Sequence, residues 1–120
     1  MSDLTLGVIE ARFAEIIWER EPISSTELWK KCEETLGWKK STTFTVLKRL
    51  CQKGIFENNG GEVTSLISKD EFYSLQSEKF VESTFGGSLP AFLNAFIRKK
   101  SLGEEEISQL RKIVAEYEEG

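Results

Sequence analysis

The sequence of 120 residues contains no histidine and only two cysteines and two prolines. Histidine is the commonest general base and a frequent metal ligand, so its absence disfavours most hydrolytic and metal-dependent mechanisms. Cys32 and Cys51 do not match the spacing of a zinc site, and we expect both to be small buried residues, with a redox pair as the alternative. No apolar run reaches about 18 residues and no basic-then-apolar leader is present, which predicts a cytoplasmic protein without membrane insertion.

Acidic residues are absent between Glu34 and Glu57, although the chain carries a net charge of −4. A protein that simply coated nucleic acid would be basic overall, so any nucleic-acid site must be a local patch on an acidic body. The stretch 38–54 is such a patch, because it has no acid and contains five basic residues: Lys39, Lys40, Lys48, Arg49 and Lys53.

The same stretch has the pattern of a short amphipathic helix over 41–53. Ser41 is its predicted N-cap and Gly54 its predicted left-handed stop. Its apolar stripe is predicted to contain Leu47, Leu50 and either Phe44 or Val46. Small hydroxyls near the start of a helix, with cations around it, suit a DNA major groove; the alternative is a solvated basic helix. The candidate DNA-binding residues are Lys39, Lys40, Ser41, Thr42, Phe44, Thr45, Lys48, Arg49 and Lys53.

Two more helices are predicted before this one, over 6–20 and 25–36. Ser24 and Glu27 form a capping-box pattern at the start of the second helix, and Gly37 is expected to end it. The short connection between the second and third helices is typical of helix-turn-helix DNA-binding proteins.

A β-hairpin is predicted directly after the third helix. Its first strand starts at Ile55, its turn is 58–61, where Asn and Gly tolerate positive φ, and its return strand contains Val63, Leu66 and Ile67. Three helices followed by a hairpin predict a winged helix-turn-helix, so the fold class is mainly α with a small β-hairpin wing.

Three apolar helices are predicted in the C-terminal part: from Ser68, with Glu71 at the capping-box position, to about Thr84, and then over 89–100 and 103–118. Helices this apolar need a partner surface against which to bury their apolar faces. We expect that surface to belong to a second copy of the chain, since C2 dimers are the commonest oligomers. The alternative is that they fold back as extra core. The expected division is a DNA-binding domain over 1–69 and a helical dimerisation region over 70–120. The candidate dimerisation residues are Phe80, Leu89, Phe92, Leu93, Phe96, Ile97, Ile107, Leu110, Ile113 and Val114.

An ordered set of short motifs along nearly the whole chain carries a family resemblance. The motifs are Ile17-Trp18, Pro22-Ile23, Glu27-Leu28, Trp38, Thr42, Thr45, Leu47, Arg49-Leu50, Lys53-Gly54, Ser68-x-x-Glu71-Phe72, Gly87-Ser88-Leu89, Phe96-Ile97, Leu102 and Glu105-Glu106-Ile107. In this set the chain resembles the penicillinase-repressor (BlaI/MecI/CopY) family of winged-helix transcriptional repressors. The resemblance implies a homodimer on a pseudo-palindromic, double-stranded DNA operator, with the helix 41–53 in the major groove. It also implies groove or phosphate contacts for Thr42 and Thr45, a phosphate or structural role for Arg49, and a backbone contact for Lys53.

The chain departs from the family pattern at several points. Lys39-Lys40-Ser41 replaces the family's Ser-Pro-Lys, and Phe44 stands where the family has a polar or basic residue. The wing lacks Lys and Arg and carries Glu62, so we expect a weak wing contact with phosphate. Ala95-Phe96 stands where drug-responsive members have an Asn-Phe bond that a membrane protease cuts, and the chain lacks the Cys-x-Cys tail of copper-responsive members. The inducer, a sensor protein or a small ligand, is left open.

Two other classes of function compete with DNA binding. A winged-helix protein-interaction module that has lost sequence-specific DNA binding would suit the acidic balance, and Phe44 would suit a protein groove or the core. An enzyme is not expected, because the chain has no Gly-rich phosphate loop and no nucleophile beside a base. No catalytic residue, metal or cofactor is therefore predicted.

Overall fold

The computed structural model describes residues 6–120. The N-terminal part contains three helices: α1 (Val8–Arg20), α2 (Ser25–Leu36) and α3 (Lys40–Gln52). The start of α2 is as predicted, since Ser24 Oγ accepts a hydrogen bond of 3.0 Å from the Glu27 amide. The helix ends at Gly37, whose φ of 68° is left-handed backbone that glycine adopts at little steric cost.

The start of α3 differs from the prediction, because Ser41 is not its N-cap. The helix begins at Lys40, with Lys39 in the N-cap position and no side-chain cap hydrogen bond. The Lys39 carbonyl accepts from the Thr43 amide at 3.1 Å and from Thr43 Oγ1 at 3.3 Å. Thr43 is fully buried, so its packing draws the first turn toward the core ahead of a serine cap. The buried face of α3 consists of Thr43, Val46, Leu47 and Leu50.

The wing is part of a three-stranded antiparallel sheet. Its strands are β1 (Ile23–Ser24), β2 (Phe56–Asn59) and β3 (Glu62–Ser65), arranged in the order β1-β3-β2. The hairpin is as predicted, but β2 begins one residue later than expected, at Phe56, and both Leu66 and Ile67 lie beyond β3. Leu66 is 58% exposed. Val63 and Leu66 are three residues apart, an odd spacing that turns strand side chains to opposite faces, and only Val63 is buried.

Three more helices follow: α4 (Lys69–Phe85), α5 (Leu89–Ile97) and α6 (Glu104–Glu119). Ser68 caps α4 as predicted, since its Oγ accepts from the Glu71 amide at 3.1 Å. The chain divides into two compact units, with the boundary between Ser77 and Glu78, inside α4. None of the helices among residues 6–120 combines the length and apolarity that a transmembrane span requires.

The core of the first unit collects apolar side chains from every element. Its large fully buried residues are Phe13, Ile17, Leu28, Leu47, Leu50, Ile55, Phe56, Val63 and Phe72. Trp18 closes one side, with ring-centroid distances of 5.5 Å to Phe56 and 5.4 Å to Phe72. Its indole N–H donates to the Ile67 carbonyl at 3.1 Å. Trp18 therefore joins α1 to the sheet and to the start of α4.

The second unit has an aromatic cluster but little buried surface. The rings of Phe80, Phe85 and Phe92 meet edge to face at centroid distances between 5.7 and 6.0 Å. Phe96 lies 6.2 Å from Phe92. No side chain of α5 or α6 is fully buried. The apolar faces of these two helices are thus largely open in a single chain.

Candidate nucleic-acid interface

α3 turns most of its candidate DNA-binding residues outward, because Thr43, Val46, Leu47 and Leu50 fix its opposite face in the core. Seven of the nine are exposed: Lys39, Lys40, Ser41, Thr42, Thr45, Lys48 and Arg49. Phe44 and Lys53 are half-buried. We call the surface formed by Lys39, Lys40, Ser41, Thr42, Thr45 and Lys48 the α3 surface.

Two of the positive charges on the α3 surface lie where they destabilise the helix. Lys39 and Lys40 occupy the N-terminal end, and the first turn contains no acid. The N-terminus carries the positive end of the helix dipole, where cations are unfavourable by several tenths of a kcal/mol. The same end offers free amides that bind phosphate well, so cations placed there favour an anionic partner.

The hydroxyl groups of the α3 surface differ in which hydrogen-bond donors and acceptors remain free. Thr45 Oγ1 donates to the Ser41 carbonyl at 2.9 Å, so its proton is used within the helix and its oxygen remains an acceptor. The hydroxyls of Ser41 and Thr42 make no hydrogen bond to any residue in the part of the chain that the structure describes. They can therefore both donate and accept toward a base edge or a phosphate.

Lys40 contacts an aromatic side chain of α2, Trp29. Its ammonium lies 5.5 Å from the centroid of the half-buried Trp29 ring, within the range of a cation–π contact. The contact holds the start of α3 against α2 while the ammonium stays exposed.

Arg49 is held by α1. Its guanidinium donates to Glu10 Oε2 at 3.1 Å, while Glu10 Oε1 accepts from the Gly7 amide at 3.2 Å. Partial burial raises the pKa of Glu10, but the Gly7 amide, the Arg49 guanidinium and the charge of Lys53 outweigh it and hold that pKa below its usual value. Glu10 is therefore a carboxylate at neutral pH, and Arg49 is a partly neutralised cation.

Phe44 packs against the hydrophobic core from its edge and is only partly exposed. Phe44 was a candidate for DNA contact, for a protein groove and for the core, and its packing leaves only part of the ring available to a partner.

The tip of the wing is tightly built and has no cation. Gly60 and Gly61 have φ values of 59° and 95°, and the Gly61 amide donates to Asn58 Oδ1 at 3.0 Å. At the other end of β3, Glu21 accepts hydrogen bonds from the Ser65 amide and hydroxyl, both at 2.8 Å. The wing is thus anchored to the end of α1, but it offers phosphate no basic side chain.

The candidate dimerisation residues line open apolar grooves in the second unit. One groove of about 450 Å³ lies beside Leu102, Ile107, Leu110 and Val114. A second, of about 220 Å³, is lined by Phe92, Leu93, Phe96, Leu110 and Ile113. Phe80, Leu89 and Ile97 are also exposed, at 50%, 63% and 39%. The two grooves share Leu102 and Leu110, and an exposed apolar surface of this kind is typical of an interaction site.

The two thiols are free and lie in apolar surroundings. Burial raises the pKa of Cys32 to about 11, against a smaller opposing effect of the hydrogen bond with Thr43. Burial, and then the charge of Glu57, raise the pKa of the half-buried Cys51. Among residues 6–120 no group of three or more Cys, Asp or Glu side chains is arranged to hold a metal ion.

We expect Cys32 to be nearly inert toward a thiol reagent in the native protein. Cys32 is fully buried and burial raises its pKa to about 11, so a reagent neither reaches the thiol nor finds it ionised at pH 8. Measuring the reaction in the Cys51→Ser variant isolates Cys32, and the same variant in urea gives the unprotected rate. A native rate equal to that in urea would contradict the assignment of Cys32 to the core.

Sequence reasoning missed Glu10 and Trp29, which hold two of the candidate cations. Both contacts join different helices, and Glu10 lies 39 residues from Arg49. The only local signal was the position of Glu10, three residues after Gly7, where a capping carboxylate is common.

Comparison with known proteins gives a consistent result over the whole fold. Residues 6–116 match the model of the penicillinase repressor family. The chain is 28% identical to the penicillinase repressor of Bacillus licheniformis over 112 residues, which is 90% of this chain and 88% of that protein. It is 25% identical to the methicillin resistance regulatory protein MecI of Staphylococcus aureus over 109 residues, or 88% of this chain and 89% of that protein. The family consists of transcriptional repressors and not of enzymes, as expected from the residues. The chain belongs to the penicillinase repressor family.

Proposed function

We propose that the protein is a homodimeric repressor that binds a pseudo-palindromic operator in double-stranded DNA through the α3 surface. Lys39, Lys40 and Lys48 neutralise phosphates, and Ser41, Thr42 and Thr45 contact base edges or nearby phosphates. Arg49 and Lys53 add positive charge at the end of α3. The protein acts in the cytoplasm, and an inducer of unknown identity, a sensor protein or a small ligand, releases it.

The observation that carries this proposal is the placement of cations on an exposed helix of an acidic chain. The α3 surface has three lysines and three small hydroxyls but no acid, and two of the lysines sit where the helix dipole disfavours them. Stability alone does not account for such a placement, whereas attraction to a polyanion does. The packing of Phe44 against the core also weakens the case for a protein-interaction module, since it removes much of the apolar anchor.

A second copy of the chain is the proposed partner of α5 and α6. Their grooves are lined mainly by apolar residues that are half-buried or exposed in one chain. A C2 dimer would cover the same surface on both copies and would present two copies of α3 to the DNA. Two half-sites about 10 base pairs apart would then be read together.

Selection from a pool of random duplexes tests this proposal. We expect the recovered sequences to contain two inverted half-sites whose centres are about one DNA turn apart. The Thr42→Ala variant should select a changed half-site, because its hydroxyl is lost from the α3 surface. Recovery of no common sequence, or of single half-sites only, would count against a dimeric operator-binding protein.

A further inference from the structure

Glu10 joins the beginning of α1 to the end of α3. One carboxylate oxygen accepts from the Gly7 amide at 3.2 Å, and the other accepts from Arg49 Nη1 at 3.1 Å. The Glu10 side chain is 20% exposed and that of Arg49 is 52% exposed. The carboxylate is thus fixed on two sides, whereas the guanidinium still faces solvent.

The position of Glu10 is informative because it brings a carboxylate from α1 to the end of a helix that has no acid of its own. The chain has no acid between Glu34 and Glu57. Glu10 nevertheless brings a negative charge to Arg49, and its pKa responds to Lys53 as well. The pair is partly exposed, and such pairs contribute little to stability. The ion pair changes the charge at the end of α3 more than it changes stability, because it partly neutralises Arg49.

We propose that Glu10 is a positioning residue that limits the sequence-independent affinity of the protein for DNA, acting through Arg49. This inference rests on the proposed function. A phosphate that approaches Arg49 has to share the guanidinium with the Glu10 carboxylate, which also repels it. Since phosphates are present at every site, the penalty is the same for all sequences, and it lowers the affinity for random and for operator DNA by the same factor.

The test is a DNA titration of the full-length Glu10→Gln variant at several salt concentrations. Glutamine keeps an oxygen to accept from the Gly7 amide but removes the charge. Binding to random and to selected duplexes should tighten by about five- to tenfold near 0.1 M salt, and the salt slope should steepen by about 1 for each α3 on the DNA. In an Arg49→Ala background the same change should have a much smaller effect.

Glu15→Gln is the matched control. Glu15 is on the same helix and pairs with Lys69 rather than with α3, so this variant makes the same change in net charge elsewhere. We expect it to bind DNA as the wild type does. If the wild type binds DNA and Glu10→Gln binds no more tightly, the role of Glu10 is overturned while the proposed function stands. An effect as large in Glu15→Gln would also overturn it, because net charge would then suffice. Absence of DNA binding by the wild type would overturn the proposed function itself, and the inference with it.

Discussion

Replacing Lys39, Lys40 and Lys48 together with alanine should lower the affinity for duplex DNA by at least about two orders of magnitude near 0.1 M salt. Each phosphate contact contributes about 0.9 to the slope of log K against log salt, so three lost contacts account for a factor of several hundred. The loss should be similar for selected and random duplexes, because phosphate contacts carry no sequence information. The slope itself should fall by about 3 for each α3 on the DNA.

Stability should not fall with affinity in this variant. All three side chains are exposed, and removing Lys39 and Lys40 relieves an unfavourable interaction with the helix dipole. The loss of the Lys40 contact with Trp29 is worth only about 0.5–1 kcal/mol at an exposed site. Alanine at Lys99, Lys100 and Lys112, which are exposed in the second unit, makes the same change in net charge. Equal losses in the two triple variants would contradict the assignment of the α3 surface.

Placing a charge on the apolar face of α6 should separate the proposed dimer. Ile113 is 62% exposed in one chain and lines a groove with Phe92 and Phe96. In a single chain, Ile113→Glu therefore costs little, but in a dimer it buries an unpaired carboxylate. We expect the dimer dissociation constant to rise at least about a hundredfold, which sedimentation equilibrium at several concentrations would measure.

The control for Ile113→Glu is Leu66→Glu in the first unit. Leu66 is 58% exposed and Ile113 is 62% exposed, so the two replaced side chains are exposed to a similar extent. Leu66→Glu should sediment with the same molecular mass as the wild type. A wild type that sediments as a monomer at micromolar concentration, or an Ile113→Glu variant with the wild-type dissociation constant, would contradict dimerisation through α5 and α6.

The parts of the fold that local chemistry determines were predictable from the sequence. Ser24 and Ser68 cap α2 and α4 as expected, because a serine cap and its amide partner are only three residues apart. Gly37 ends α2 for an equally local reason, its left-handed backbone. Period and caps were therefore enough to predict the winged helix, whose fold class is confirmed.

Apart from Leu66, which local strand alternation explains, the errors came from contacts between distant residues. β1 has two residues, too few for an alternating pattern, and its existence depends on pairing with Val63 and Glu62. The start of α3 depends on the burial of Thr43, which no propensity indicates for a polar residue. In the candidate site, the exposure of Lys48 and Arg49 followed from helical periodicity, whereas the restraint on Arg49 by Glu10 could be seen only once α1 and α3 were placed together.

Operator binding by the α3 surface can be tested by a fluorescence-polarisation titration of the wild type. The probes are a selected palindromic duplex and a scrambled duplex of equal length, each at two salt concentrations. We expect binding to the palindrome to be at least about 10³-fold tighter than to the scrambled duplex, with both affinities falling steeply as salt rises. Equal affinity for the two duplexes, or no binding at low salt, would contradict it.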